Sequence, residues 1–313
     1  MVLISLIAAA IPMMFYLILL WKFDKYEPEP LLFVFFHFIW GASIATTLGF
    51  FGSKAISFPL ELLIKEPEKT SLIQIILIAP IVEEISKALL LFWTVNNKRF
   101  DNLTDGLVYG GAIGLGFGMT ENFLYFITFG DTISGLILLI IIRSGFSAVM
   151  HSMSTAAFGA FLSASKYSKD KNKKLLIVTG FITAISIHFI WNFSVSFAGT
   201  FLFGMFFIVI IFAIFIAVFL FALRFERKII KEKLANEIPQ ELIEIIISSV
   251  RNSKGWFIEE YREEFIYSSV LLAFRKHELE IAPKKKEHYI DDIHKLRTKI
   301  QKLLLLNNTE SIT

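Results

Sequence analysis

The 313-residue chain has no cysteine, which excludes disulfides, thiolate metal ligands and a cysteine nucleophile. Charge is scarce too: Asp, Glu, Lys and Arg make up 19 % of residues and the formal net charge is only +3. With both signs mixed in its most polar region, nothing points to nucleic acid as a partner. What is abundant is apolar. Hydrophobic residues reach 55 %, 34 residues are Phe, and the mean hydropathy is +0.63, more apolar surface than one water-soluble core can hide. The chain therefore reads as an integral membrane protein. Of its 31 basic and 28 acidic residues, 17 and 15 follow Leu223. A membrane domain over 1–223 is thus expected to be followed by a charged tail over 224–313.

A helix needs about 20 mostly apolar residues to cross about 30 Å of hydrocarbon. The runs that qualify are Val2 to Trp21, Leu31 to Phe51, Leu72 to Val95, Asp105 to Phe129, Thr132 to Ser163, Leu175 to Phe197 and Phe201 to Leu223. The expected fold class is all-α: a polytopic membrane bundle of about seven transmembrane helices with a small helical cytoplasmic C-terminal tail. The first run lacks a basic n-region and a small-residue cleavage site, so it is expected to stay in the protein. Short-loop Lys and Arg fall on one side: Lys22, Lys25, Lys98, Arg99, Lys166, Lys169, Lys171, Lys173, Lys174 and the basic start of the tail, against Lys54, Lys65 and Lys69 on the other. Positive charge resists translocation, which predicts the N-terminus outside and the C-terminus in the cytoplasm. In the tail, helical periodicity covers Glu241 to Val250 and Trp256 to Phe274, and a mixed-charge stretch runs from Lys284 to Lys302.

Several ionisable residues lie inside these apolar runs, where each is costly and so a candidate for function. The third run holds Glu83, Glu84 and Lys87, the fourth Glu121 with Asn122 and Tyr125, the fifth Arg143 and His151, and the sixth His188 with Asn192. Glu83 and Lys87, Glu121 and Tyr125, and His188 and Asn192 are each four residues apart, on one helix face. Counted from the cytoplasmic helix ends, Glu83 lies about 16 Å up, Glu121 about 25 Å, and His151 and His188 about 21 Å. One layer of acids and imidazoles from four helices is expected. Gly110, Gly114 and Gly118 form a small-residue ridge that lets a neighbouring backbone approach. His37, among Phe35, Phe36 and Phe38, reads as packing or interfacial, and Glu27-Pro-Glu29-Pro30 as a rigid break between spans.

Carboxylates beside imidazoles in a sheltered cavity suit general acid–base work on water. Glu83 or Glu84 can activate the water, His188 with Asn192 can supply donors, and His151 can hold or protonate. Glu83 is preferred over its neighbour because Lys87 shares its face, which leaves Glu84 to hold another helix. A metal version uses His151, His188 and Glu121 around Zn²⁺ with an open water position; HExxH is absent, and metal and metal-free chemistry both stay open. The bland alternatives are a Glu83–Lys87 pair stapling the bundle and a Glu121–Arg143 tie between helices. A proton- or ion-coupled transporter could use the same residues, although no internal repeat is visible. A non-catalytic scaffold would leave the buried polar layer unexplained.

Five motifs in order carry a family resemblance: Trp21-Lys-Phe-Asp24-Lys-Tyr-Glu27-Pro-Glu29-Pro30; Ala79-Pro-Ile-Val-Glu-Glu-Ile-Ser-Lys87; Asp105-Gly-Leu-Val-Tyr-Gly110 on to Gly116-Phe-Gly-Met-Thr-Glu121-Asn122; Arg143 with His151; and His188 with Asn192. Over roughly residues 15 to 200 the chain resembles the PrsW family of bacterial intramembrane proteases, related to the CAAX prenyl endopeptidase and bacteriocin-processing superfamily. The resemblance implies peptide-bond hydrolysis in or near the bacterial cell membrane. It also implies functional roles for Glu83, Glu84, Glu121, His151 and His188, with Asn192 beside them, and membrane-anchored substrates such as anti-sigma factors. It implies nothing for the tail.

Overall fold

The computed structural model describes residues 2–97, 99–166, 168, 170–281 and 286–310. Lys98, Lys169 and Lys284, used above for orientation and the tail, lie outside the described residues. Among the described residues every regular element is helical. The chain forms two compact units: Met1–Asp24 with Glu29–Phe219, and Lys25–Pro28 with Leu220–Thr313.

In the first unit, α1 spans Val2–Phe23. The run Leu31–Leu63 consists of α2 (Leu31–Trp40), a π turn at Gly41–Ala45 and α3 (Thr46–Leu63). Next come α4 (Pro67–Ile73), a π turn at Gln74–Ile78 and α5 (Ala79–Thr94). Helix α6 covers Leu103–Phe129. A third interrupted run follows, α7 (Ile133–Ile142), a π turn at Arg143–Ser147 and α8 (Ala148–Lys166). Helices α9 (Asp170–Ser196) and α10 (Phe201–Leu234) complete the series, and the division between units falls within α10.

Among the described residues, five helical runs are long and apolar enough to cross a bilayer: Val2–Phe23, Leu31–Leu63, Ile133–Lys166, Asn172–Ser196 and Ala198–Leu234. The expected count of about seven is not confirmed by length and apolarity. The two that fall short are those at 72–95 and 105–129, for different reasons. The first carries Glu83, Glu84 and Lys87, and the second is diluted by six glycines between Gly106 and Gly118 and carries Asp105 and Glu121. These are the helices that bring acids into the body of the fold, so their composition is the least lipid-like.

Helix α6 is the axis of this unit, with every residue from Thr104 to Gly118 buried. Its start is fixed by a capping box: the Asn102 side chain accepts from Asp105 N, and Asp105 accepts from Asn102 N. Along one face, a Cβ at Gly106 would lie 2.3 Å from the Gly159 carbonyl, one at Gly110 2.5 Å from Thr155 O, one at Gly114 2.1 Å from His151 O, and one at Gly118 2.8 Å from Ala148 Cα. The ridge of small residues thus lets α6 and α8 cross backbone to backbone. We expect Gly114→Ala to lower the thermal midpoint of the purified protein by several degrees. A methyl pressed on the His151 carbonyl has no flexible neighbour to displace, and overpacking of this kind costs about 1–3 kcal/mol. An unchanged midpoint would show that the two helices separate more freely than their spacing implies.

The π turns leave carbonyls free for other helices. Thr120 Oγ1 donates to Ala42 O at 2.6 Å, and Asn192 Nδ2 donates to Ile75 O at 2.9 Å. In the third, Arg143 is the first residue of the turn. Such bulges recur at functional sites.

The second unit contains the end of α10, α11 (Gln240–Ile246), a 3₁₀ turn at Ser249–Asn252, α12 (Glu259–Ile281) and α13 (Lys286–Glu310). Helix α11 stops short of the expected Val250 because Ser248 caps Val250 N and starts the tighter turn. Helix α12 begins three residues later than expected and continues to Ile281. Ile230, Leu234, Ile243, Ile246, Phe265, Val270 and Leu272 build the core, and Tyr26 joins it, its hydroxyl donating to Ile247 O at 3.3 Å. Burial of the Glu237 carboxylate opposes ionisation, yet hydrogen bonds from Arg297 and Lys276 outweigh it and hold the pKa below the ordinary carboxylate value.

Candidate active site

Helices α5, α6, α8 and α9 each contribute to one polar cluster inside the first unit. From α5, Glu84 is 2 % exposed and fully engaged. Its Oε1 accepts from Lys87 Nζ at 2.7 Å, His188 Nδ1 at 3.0 Å and Ser154 Oγ at 3.1 Å, while Oε2 accepts from Thr155 Oγ1 at 3.2 Å. Four donors from three helices satisfy this carboxylate, which makes it a tie between α5, α8 and α9.

Glu83 is placed differently. Its side chain is 15 % exposed, its Oε2 is buried without a hydrogen-bond partner, and His188 Nε2 stands 3.7 Å away, too far for a hydrogen bond. A reactive group needs such spare acceptor capacity. Lys87 does not pair with it: the ammonium goes to Glu84, three residues back, instead of Glu83, four back. The bland alternative of a Glu83–Lys87 pair is therefore not the one formed. Both spacings reach on a helix, and the ring of donors around Glu84 from α8 and α9 decides between them.

Glu121, on α6, is held by two partners. Its Oε2 lies 2.7 Å from Arg143 Nη2 and 2.7 Å from His151 Nε2. Arg143 also donates to Asn122 Oδ1 at 3.1 Å and stacks over the Tyr125 ring at 3.5 Å. The tie between Glu121 and Arg143 that the sequence allowed is present, and it adjoins the cluster. His151, 1 % exposed, also meets Lys87 Nζ through Nδ1 at 2.9 Å, and its ring stands edge-on to His188 at 4.7 Å. Asn192, one turn beyond His188, turns its amide toward the Ile75 carbonyl freed by the π turn.

Glu83, Glu84, Glu121, His151 and His188 therefore meet, whereas the contact made by Asn192 is to Ile75 O. Sequence reasoning missed Ser154 and Thr155 as donors to Glu84; they follow His151 by three and four residues on the same face, which was the available signal. His37 is fully buried away from the cluster, with Nδ1 2.7 Å from Phe33 O and Nε2 2.8 Å from Thr94 Oγ1, so it is a packing residue and not an interfacial one.

Among the described residues, the acid whose ligand atom converges with both imidazoles, all within 4.8 Å of one another, is Glu83. Glu121, expected in that role, is drawn to Arg143. The fit to a divalent cation is good at two of the three positions. Glu83 has an unpartnered buried oxygen, and His188, with Nδ1 turned to Glu84, offers Nε2 on the Glu83 side, an arrangement in which a carboxylate orients a ligating imidazole. His151 has both ring nitrogens engaged.

A helical bundle with, among the described residues, five runs fit to span a bilayer, closed around glutamates and histidines that membrane interiors otherwise exclude, defines a multi-pass membrane protein with a buried cluster of acids and imidazoles. The chain belongs to the PrsW family: the model described as "PrsW family intramembrane metalloprotease" matches residues 29–221, a stretch that holds the whole cluster. Among relatives, it is 25 % identical to Protease PrsW of Geobacillus kaustophilus over 172 residues, which are 54 % of this chain and 69 % of that protein. It is 26 % identical to that of Clostridioides difficile over 172 residues, 54 % of this chain and 70 % of that protein. With Protease PrsW of Oceanobacillus iheyensis the identity is 31 % over 114 residues, 36 % of this chain and only 50 % of that relative's length. No solved structure matches.

Proposed function

We propose that the chain is an intramembrane peptidase that hydrolyses peptide bonds of membrane-anchored proteins, with the membrane domain over 1–223 carrying the reaction and the tail over 224–313 in the cytoplasm. Support comes from the family match together with one observation above all: of the three glutamates in the cluster, Glu83 has the buried oxygen that nothing occupies. In this reading Glu83 takes one proton from water while His188 Nε2 accepts a hydrogen bond from the hydrogen that stays on the oxygen, and the hydroxide so formed attacks the carbonyl carbon of the scissile bond. Asn192, with one amide hydrogen on Ile75, turns the other to the oxyanion. When the tetrahedral adduct collapses and the C–N bond breaks, Glu83 returns its proton to the departing amine, so the carboxylate is restored. Glu84 keeps the His188 proton on Nδ1, and Arg143 neutralises Glu121 at the edge of the site.

A cation such as Zn²⁺, held by Glu83 and His188, would polarise the carbonyl and acidify bound water. The positive-inside bias supports an N-outside, C-inside arrangement in a bacterial cell membrane, and the family resemblance suggests anti-sigma factors as one substrate class. The transport reading has no support from the family assignment.

The test is reconstitution of the full chain with single-span membrane proteins, followed by product analysis with and without a chelator. Accumulating fragments are the expected result. Loss of cutting on chelation, restored by Zn²⁺, assigns a metal-assisted mode; cutting indifferent to the chelator assigns the metal-free one. Intact substrate under all conditions contradicts the proposal.

A further inference from the structure

The stem of Glu83 lies against a residue that gives it no polar atom. Gly49, the fourth residue of α3, is buried, and a Cβ there would stand 3.1 Å from Glu83 Cγ and 3.4 and 3.5 Å from Cε2 and Cζ of Phe117. Carbon atoms in contact rest about 3.5–4.0 Å apart, so a methyl at 49 and the Glu83 stem do not fit together as they stand. Nor does the backbone call for glycine. Among the described residues the glycine with positive φ is Gly255, and Gly49 lies in ordinary helix, where alanine is the better helix former. What the position needs is room. The bulky neighbours Leu48, Phe50 and Phe51 are all turned outward and exposed, which leaves the smallest face of α3 to α5.

If that room were filled, something would have to move, and the surroundings decide what. Phe117 is 3 % exposed and hemmed in, its ring centre 4.1 Å from Lys87 Nζ and 5.0 Å from the centre of the His151 ring. The backbone of α3 is tied just upstream, where Thr120 Oγ1 donates to Ala42 O at 2.6 Å. Glu83 is the least anchored of the three, because its side chain is partly exposed and its Oε2 has no hydrogen-bond partner. A Cβ at 49 therefore displaces Glu83, by about half an ångström if ordinary carbon spacing is to be restored.

We propose that Gly49 is a positioning residue: the side chain it lacks is the space in which the Glu83 stem lies, so that α3 sets where the carboxylate stands relative to His188 without supplying a group that would occupy it. Its meaning for catalysis depends on Glu83 being the proton acceptor, while the seat itself follows from the contacts. Gly52 provides the matched comparison. It belongs to the same helix, and a Cβ there would meet Val82 Cγ1 at 2.7 Å, a tighter clash that falls on a residue with no part in the reaction.

The test compares Gly49→Ala with Gly52→Ala in the full chain, reconstituted in lipid with a single-span substrate. Gly49→Ala should lower kcat about tenfold, since misplacement by an ångström costs about a hundredfold, with KM and the melting midpoint close to wild type. Gly52→Ala should do the reverse, keeping kcat per folded molecule and melting earlier. A glycine that serves packing alone would lose stability and activity together. Two measurements need no proteolysis. Wild-type protein carrying ¹³C-labelled glycine and glutamate should give a through-space cross-peak between Gly49 Cα and Glu83 Cγ, and the Glu83 carboxyl signal, assigned by its loss in Glu83→Gln, should shift in Gly49→Ala and not in Gly52→Ala. Wild-type kcat in Gly49→Ala, equal losses of kcat in the two variants, or an unmoved Glu83 signal overturns the proposal. So does a missing cross-peak in wild-type protein, which decides the matter even where Gly49→Ala fails to accumulate. Intact substrate in every sample, with the cross-peak and the shift as stated, counts against the peptidase reading alone.

Discussion

Glu83→Gln is expected to reduce cleavage of a membrane-anchored substrate by about 10²–10⁴-fold, the usual contribution of a positioned proton acceptor, while leaving the thermal midpoint within a degree or two of wild type. The substitution is nearly isosteric. It replaces a carboxylate whose Oε2 has no hydrogen-bond partner and whose side chain is 15 % exposed, so few native contacts depend on the charge. The amide no longer takes a proton from water, and it has none to return to the amine. Single-turnover cleavage in proteoliposomes, paired with melting in detergent, separates the two effects. Full activity in this variant would remove Glu83 from the reaction.

Glu84→Gln is expected to behave in the opposite order, with loss of stability first and loss of activity as its consequence. Glu84 receives Lys87, His188 and Ser154 on one oxygen and Thr155 on the other. A glutamine retains one acceptor oxygen and turns an NH₂ donor against one of these donors. Lys87, which has no exposed surface, is left without a counter-charge. Breaking a buried ion pair by removing one partner costs about 3–5 kcal/mol, which for a chain of this size corresponds to a fall of about 10 °C in the melting midpoint. A Glu84→Gln protein as stable as wild type would show that water reaches Lys87 and that the tie between α5, α8 and α9 is dispensable. The adjacent acids are therefore distinguishable by a pair of measurements although they are adjacent in the chain.

How much of this was legible in the residues depends on the physics that each feature obeys. The cluster was legible because ionisable groups inside apolar runs have few places to go: Glu84 meets His188, and Glu121 meets His151, much as depth counting along straight helices expects. The close approach of α6 and α8 was legible in Gly110, Gly114 and Gly118 for the same reason that any small residue is, namely that nothing else leaves room for a backbone. The partner of Lys87 was not. On a helix Glu83 and Glu84 are equally within reach, and the choice is made by Ser154, Thr155 and His188, which arrive from other helices. The three π turns were not legible either, since no residue type demands one. Their effect is nonetheless direct, because Asn192 is committed on one side to the Ile75 carbonyl that such a turn exposes. Apolarity leaves two of the expected spans unconfirmed, because Glu83, Glu84 and Lys87 in one and the glycines with Glu121 in the other make these helices poor mimics of lipid-facing ones.

The account stands on hydrolysis taking place within the bilayer at Glu83. Mapping the new termini of a reconstituted single-span substrate by mass spectrometry tests this most directly. The account predicts a scissile bond inside or at the edge of the substrate's apolar span, with those fragments absent when Glu83→Gln protein is used. Cuts confined to water-exposed segments and undiminished in that variant, or intact substrate accompanied by proton flux through the protein, would contradict it.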